Sequence, residues 1–117
     1  LNTPWHTSWL PDGFVAQPVT FAGEDVHQRV YSDGLATVSI FVEPLASEAT
    51  VALQEGVQQL GVSAVAIEHT ITAEGRWQLV AIGELPVATL QRIVRSITFD
   101  LQEGQSQESV DEAESIK

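Results

Sequence analysis

Tyr31-Ser32-Asp33-Gly34-Leu35, running on into Ala36-Thr37-Val38-Ser39-Ile40-Phe41-Val42-Glu43, is the stretch that decides the fold. An Asp-Gly pair between runs of β-branched and aromatic residues signals a hairpin, because glycine accepts positive φ and aspartate hydrogen-bonds the neighbouring backbone. The residues after the turn alternate. Ala36, Val38, Ile40 and Val42 take one side of a strand; Thr37, Ser39, Phe41 and Glu43 take the other. The first side is core and the second half wet. No group in the stretch is reactive, which points to recognition or scaffolding before catalysis.

The neighbouring segments extend this hairpin into a sheet. Upstream, Val26-His27-Gln28-Arg29-Val30-Tyr31 alternates as the partner strand, and Phe14 to Phe21 reads as an earlier one. Pro18 cannot donate to a ladder, so that earlier strand belongs at a sheet edge or a bulge. Downstream, the third strand ends near Glu43-Pro44. Signals then conflict between Leu45 and Gly61: Ser47 could cap a helix and Ala49, Leu53, Val57 and Leu60 follow helical spacing, whereas Gly56 and the β-branched Thr50, Val51 and Val57 oppose one. The segment is read as a loop with at most a short helical turn. Val62 to Thr72 is a fourth strand, Ala73-Glu74-Gly75 a turn, and Arg76 to Glu84 a fifth strand, apolar on both faces and therefore central.

From Pro86 the period changes. Val87, Leu90, Ile93, Val94 and Ile97 form an apolar stripe at helical spacing, with Pro86 suited to the first helical position. Arg92 and Arg95 fall in the second half of the helix, where they complement its negative end. Thr98 to Leu101 reads as a last extended piece. Together these elements predict an α+β domain: an antiparallel sheet of about five strands built from hairpins, with one C-terminal amphipathic helix packed on it. Residues 1 to 12, with Trp5, Trp9, Pro4 and Pro11, read as an extended lead-in, at least one of whose tryptophans packs on the domain.

Bulk properties narrow the function. The 117 residues suit one domain, and 16 acidic against 5 basic side chains give a formal charge of -11. Such a surface has no footprint for nucleic acid or anionic membranes. The last stretch gathers Glu103, Glu108, Asp111, Glu112 and Glu114 against Lys117 alone and reads as a disordered acidic tail. There is no cysteine, hence no disulfide, thiolate metal site or cysteine nucleophile. No apolar run reaches the length of a membrane span, and a chain that starts with Leu and lacks Met reads as a fragment or processed piece.

Three histidines, His6, His27 and His69, lack any local ligand spacing, and His69 is expected to be a hydrogen-bonded residue near the sheet surface. Glu24-Asp25 and Asp111-Glu112 are adjacent, solvated acids, and Ser32-Asp33 near His27 has no nucleophile context. No cofactor, metal or catalytic constellation is predicted. Arg76, Arg92 and Arg95 are scarce cations on an acidic body. They pair with neighbouring carboxylates or mark a docking patch.

Trp9-Leu10-Pro11-Asp12-Gly13-Phe14, Tyr31 to Leu35 running into Val38 to Glu43, Val80 to Pro86, and Ala88-Thr89 followed by Arg92-Ile93 resemble, in this order and spacing, the C-terminal domain of the RseB/MucB family. The resemblance runs from about Trp9 to Phe99; Ala46 to Leu60 carries none of it. It implies a periplasmic, non-enzymatic binding module of a negative regulator of sigma-E-type envelope stress signalling. Its implied partners are the periplasmic region of an anti-sigma factor (RseA/MucA-like) and an N-terminal lipoprotein-carrier-like domain of the same protein. The alternative is a structural or assembly domain that packs on that N-terminal domain or self-associates. Residues 1–8 are then expected as a linker remnant, 9–101 as the domain and 102–117 as the tail. Tyr31, Phe41, Trp77, Arg92 and Arg95 are the candidate partner-binding residues.

Overall fold

The computed structural model describes residues 5–18, 27–46 and 50–100. No helix among them is long and apolar enough to cross a membrane. The central hairpin is present: β3 (His27–Ser32) pairs antiparallel with β4 (Thr37–Pro44), Tyr31 opposite Val38 and Ser32 opposite Thr37. Four residues, 33 to 36, make the connection. Asp33 Oδ1 accepts the N–H groups of Leu35 and Ala36, each at 2.9 Å, while Gly34 takes φ +96° and donates its N–H to Ser32 Oγ at 3.0 Å. These bonds, Ala36 first and then Leu35, hold the Asp33 carboxyl below the ordinary value of 3.8. A lowered carboxylate pKa adds stability that is present above the unfolded value and is lost as pH falls through the folded one. The melting-temperature advantage of the native chain over Asp33→Asn is therefore expected at neutral pH and should shrink as pH falls below 3.8.

Among the described residues the main sheet has six strands, all antiparallel. β2 (Val15–Gln17), β5 (Gly56–Leu60), β6 (Ser63–Thr72) and β7 (Gly75–Gly83) join the first hairpin in the order β2-β3-β4-β7-β6-β5. β7 is central, as its two-sided apolar run predicts. β2 lies at one edge and stops at Gln17, directly before Pro18; Val19 to Phe21 and Val26, read above as strand, lie outside the described residues. The sheet exceeds the expected five strands by one because Gly56–Leu60, read as loop, is a strand. Every one of its residues is exposed, so it shows no alternation of apolar and polar side chains. Its strand character comes from pairing with β6 across the turn at Gly61-Val62.

One face of this sheet carries the core. Val38, Ile40, Val42, Ala64, Ala66 and Ala81 are fully buried there beneath α1 (Val87–Arg95), which contributes Leu90, Ile93 and Val94. Burial of each Val, Leu or Ile side chain among them stabilises by about 1.5–3 kcal/mol. Pro86 is the N-cap, one position before the first helical residue expected for it; its carbonyl accepts the N–H groups of Thr89 and Leu90. The helix ends at Ser96, and the chain turns into β8 (Ile97–Phe99), which pairs with β1 (Trp5–Thr7) as a second, two-stranded sheet. Trp5 is buried in the core, and Phe99 packs against Trp77 with ring centroids 5.2 Å apart and ring planes inclined by 40°. Residues 5–7, expected within a linker remnant, form a strand paired with β8, and Trp5 belongs to the buried core cluster. The tail from residue 101 lies outside the described residues.

Candidate partner-binding surfaces

Parity along the strands separates the five candidate residues. Tyr31 opposes Val38, and Trp77 opposes Pro44 beside Leu79 and Ala81, so both rings point to the helix side and are buried. Tyr31 therefore does not share a surface with Thr37, Ser39 and Phe41, and Trp77 and Phe41 lie on opposite faces of the sheet. The Trp77 indole N–H is already used, donating to Thr72 Oγ1 at 2.8 Å. Phe41 opposes Val80 on the other face and is half-buried.

That second face carries an apolar groove with a polar centre. Phe41, Val80, Val51 and Leu53 line it with Glu43 and Gln78, around a cavity of about 320 Å³. Gln78 is fully buried and uses both ends of its amide. Its Nε2 donates to Glu43 Oε1 (2.9 Å) and to the Val51 carbonyl (3.0 Å). Its Oε1 accepts the Leu53 N–H at 2.7 Å and lies 3.0 Å from His69 Nε2. Since the backbone N–H of Leu53 can only donate, that amide atom is the oxygen, and His69 Nε2 carries the proton. His69 is thus the hydrogen-bonded surface residue expected of it, and its own N–H is received by Glu55 Oε1 at 2.9 Å. The network straps residues 51–55 across the sheet. Gln78→Leu leaves the Leu53 N–H and the Val51 carbonyl unpaired; it should cost about 2 kcal/mol and speed amide exchange at Leu53 while the helix side keeps its protection.

The arginines lie on the other side. Arg92 stacks on Trp9, its guanidinium carbon 4.0 Å from the ring centroid, and Arg95 Nε meets Glu68 Oε2 at 2.5 Å. With Ala88, Gln91 and Ser96 they border a second cavity of about 400 Å³. Arg95 pairs with a carboxylate as expected for an isolated cation. Arg92 and Arg29 use aromatic faces instead: Arg29 lies 3.9 Å from the Trp5 ring centroid and donates to the Trp5 carbonyl at 2.6 Å. His6 meets Asp100 at 2.9 Å on the two-stranded sheet, and no group of three or more His, Asp or Glu side chains converges among the described residues. The Gln78 network escaped the sequence reading; its one signal was a lone glutamine inside the apolar run of the central strand.

Comparison with known proteins fits this architecture. The family model of the MucB/RseB C-terminal domain matches residues 1–98. The chain belongs to this MucB/RseB family. Its relatives include the sigma factor AlgU regulatory protein MucB of Pseudomonas aeruginosa, 33% identical over 100 residues, covering 80% of this chain and 30% of MucB. They also include the sigma-E factor regulatory protein RseB of Haemophilus influenzae, 33% identical over 100 residues, covering 81% of this chain and 29% of RseB. The chain thus spans about a third of the length of the curated relatives it matches. Among solved structures, MucB in complex with MucA(peri) superposes with TM-score 0.71 at 28% identity, over 87% of this chain and 39% of that one. MucB itself superposes with TM-score 0.61 at 32% identity, over 82% and 33%. MucB/RseB proteins are regulators and not enzymes.

Proposed function

We propose that this MucB/RseB C-terminal domain is a periplasmic binding module that engages the periplasmic region of a MucA/RseA-like anti-sigma factor and so helps to hold sigma-E-type stress signalling off. The observation that carries the reading is the shared fold with MucB solved together with MucA(peri). The contact we assign is the groove of Phe41, Leu53 and Val80 with Glu43 at its rim, which suits a segment carrying apolar anchors and a cation. Arg92 and Arg95 with Trp9 supply a second contact on the opposite side, which the same segment reaches only by passing round the sheet. Tyr31 and Trp77 support both from within the core.

Calorimetric titration of the 117-residue chain with the periplasmic region of MucA tests the reading. Saturable heat is expected in the micromolar range, and its absence at high micromolar concentration overturns autonomous binding. Phe41→Ala should weaken the interaction about tenfold, within the range for a groove aromatic, with the circular dichroism of the native fold retained. A second reading, packing against the rest of a longer protein, is favoured by the small share of its relatives that the chain spans. Under it the same groove meets a neighbouring domain, and the titration is silent.

A further inference from the structure

The two edges of the main sheet are unequal. β2 is three residues long and is followed at once by Pro18, both of which discourage another strand from adding there. β5 is five residues long, and Gly56-Val57-Gln58-Gln59-Leu60 contains no proline and no charge. Among the described residues β5 pairs only with β6, so alternate N–H and C=O groups along its outer side face away from the sheet. The Gln59 side chain does not cap that side: its amide donates to the carbonyls of Gly61 and Ser63 within its own hairpin. Val57 and Leu60 are 43% and 46% exposed and Val62, in the turn, 85%. Soluble proteins blunt an edge of this kind unless something pairs with it.

We infer that the outer edge of β5 receives an extended, cationic segment of another protein by strand addition. Gly56 offers no side chain above its partner Ile67, and the space between residues 54–58 and the side chains of Val65 and Ile67 amounts to about 240 Å³. An apolar side chain of the added strand, next to Gly56, fills that space while the backbones exchange hydrogen bonds. Charge selects the occupant. β5 and its turn are neutral, Glu55 lies directly before the strand, and of the two cations on the facing helix Arg92 lies over the Trp9 ring and Arg95 is already bound by Glu68. A second copy of a chain of formal charge -11 would bring like charge to the edge, whereas a basic segment is attracted to it. This inference concerns a different part of the sheet from the Phe41 groove and does not depend on the partner proposed for it.

The test uses the isotope-labelled chain and a synthetic peptide, acetyl-Lys-Val-Thr-Ile-Lys-Val-Thr-Val-Lys-amide, beside an analogue N-methylated at residues of both edges, so that neither edge can complete a ladder. The unmodified peptide should shift the amides of Gly56 to Leu60 and slow the exchange of those that face away from β6, with affinity that falls as salt is raised. The analogue keeps every side chain and should bind at least about tenfold more weakly. Equal binding of the two peptides, shifts confined to β2 or to the Trp9 groove, or no shift at all would overturn the inference. So would protection, without peptide, of the amides of β5 that face away from β6: if it rises with protein concentration the occupant is a second copy, and if it does not the occupant is another segment of this chain.

Discussion

Gly83→Ala is expected to destabilise the domain by about 3 kcal/mol, at the upper end of what inserted volume costs in a packed interior. Gly83 is the last residue of β7, flanked by Val38 of β4 on one side and Ala64 of β6 on the other. A Cβ at this position would run into the carbonyl oxygen of Thr37, far inside van der Waals contact, and would lie 3.0 Å from the Val38 Cα. Both obstacles are backbone, held in the ladder that continues the central hairpin, so no side-chain rotation relieves them. Either β4 or β7 must shift, and the shift opens the core at Val38. For a domain of this size the melting temperature should fall by roughly 15 °C. A variant that melts within a few degrees of the native chain would show that the two strands do not approach so closely.

Trp5→Ala is the second large effect. Its ring is 1% exposed, packed in the core on the helix side and covered by the Arg29 guanidinium. Removing so large a ring costs about 4 kcal/mol, because the transfer energy is lost and a cavity remains. The result also separates two views of the N-terminal residues. If residues 5–7 were a linker resting on the surface, the substitution would change stability by well under 1 kcal/mol. As a strand paired with Ile97–Phe99, they should carry nearly the full amount, and chemical denaturation of the variant measures it.

The parts of this fold that were legible in the sequence are those whose burial is periodic. Val38, Ile40 and Val42 alternate, and the helix repeats its apolar residues at Leu90, Ile93 and Val94, so each segment declares both its type and its buried side. β7 declares its central place because Trp77, Leu79 and Ala81 face the core while Val80 and Ile82 face the groove side. β5 declares nothing, since an exposed edge strand has no buried side to mark. Pairing between strands distant in the chain is equally hidden. That Trp77 opposes Pro44, and so turns from the Phe41 side, follows from the β4 to β7 register, which no local motif encodes. Tyr31 was within reach: the connection after Ser32 has an even number of residues, which places Tyr31 opposite an even-numbered residue of β4 and hence on the core side.

The candidate site was legible to a smaller extent for the same reason. Phe41 could be named from alternation, but Gln78, which organises the groove, joins Glu43, the segment of Val51 and Leu53, and His69 from three separate places in the chain. A buried amide that satisfies both its donor and its acceptor ends stabilises one arrangement over others. It holds residues 51–55 where they wall the groove, so the shape offered to a partner depends on a residue that the partner need not touch.

The most direct test of the account is amide hydrogen exchange of the 117-residue chain with and without the periplasmic region of MucA. Slowed exchange at Phe41, Leu53 and Val80 upon addition, weakened in parallel by Phe41→Ala, is the predicted result. Exchange unchanged across that face under saturating partner, with the fold intact, would contradict the account.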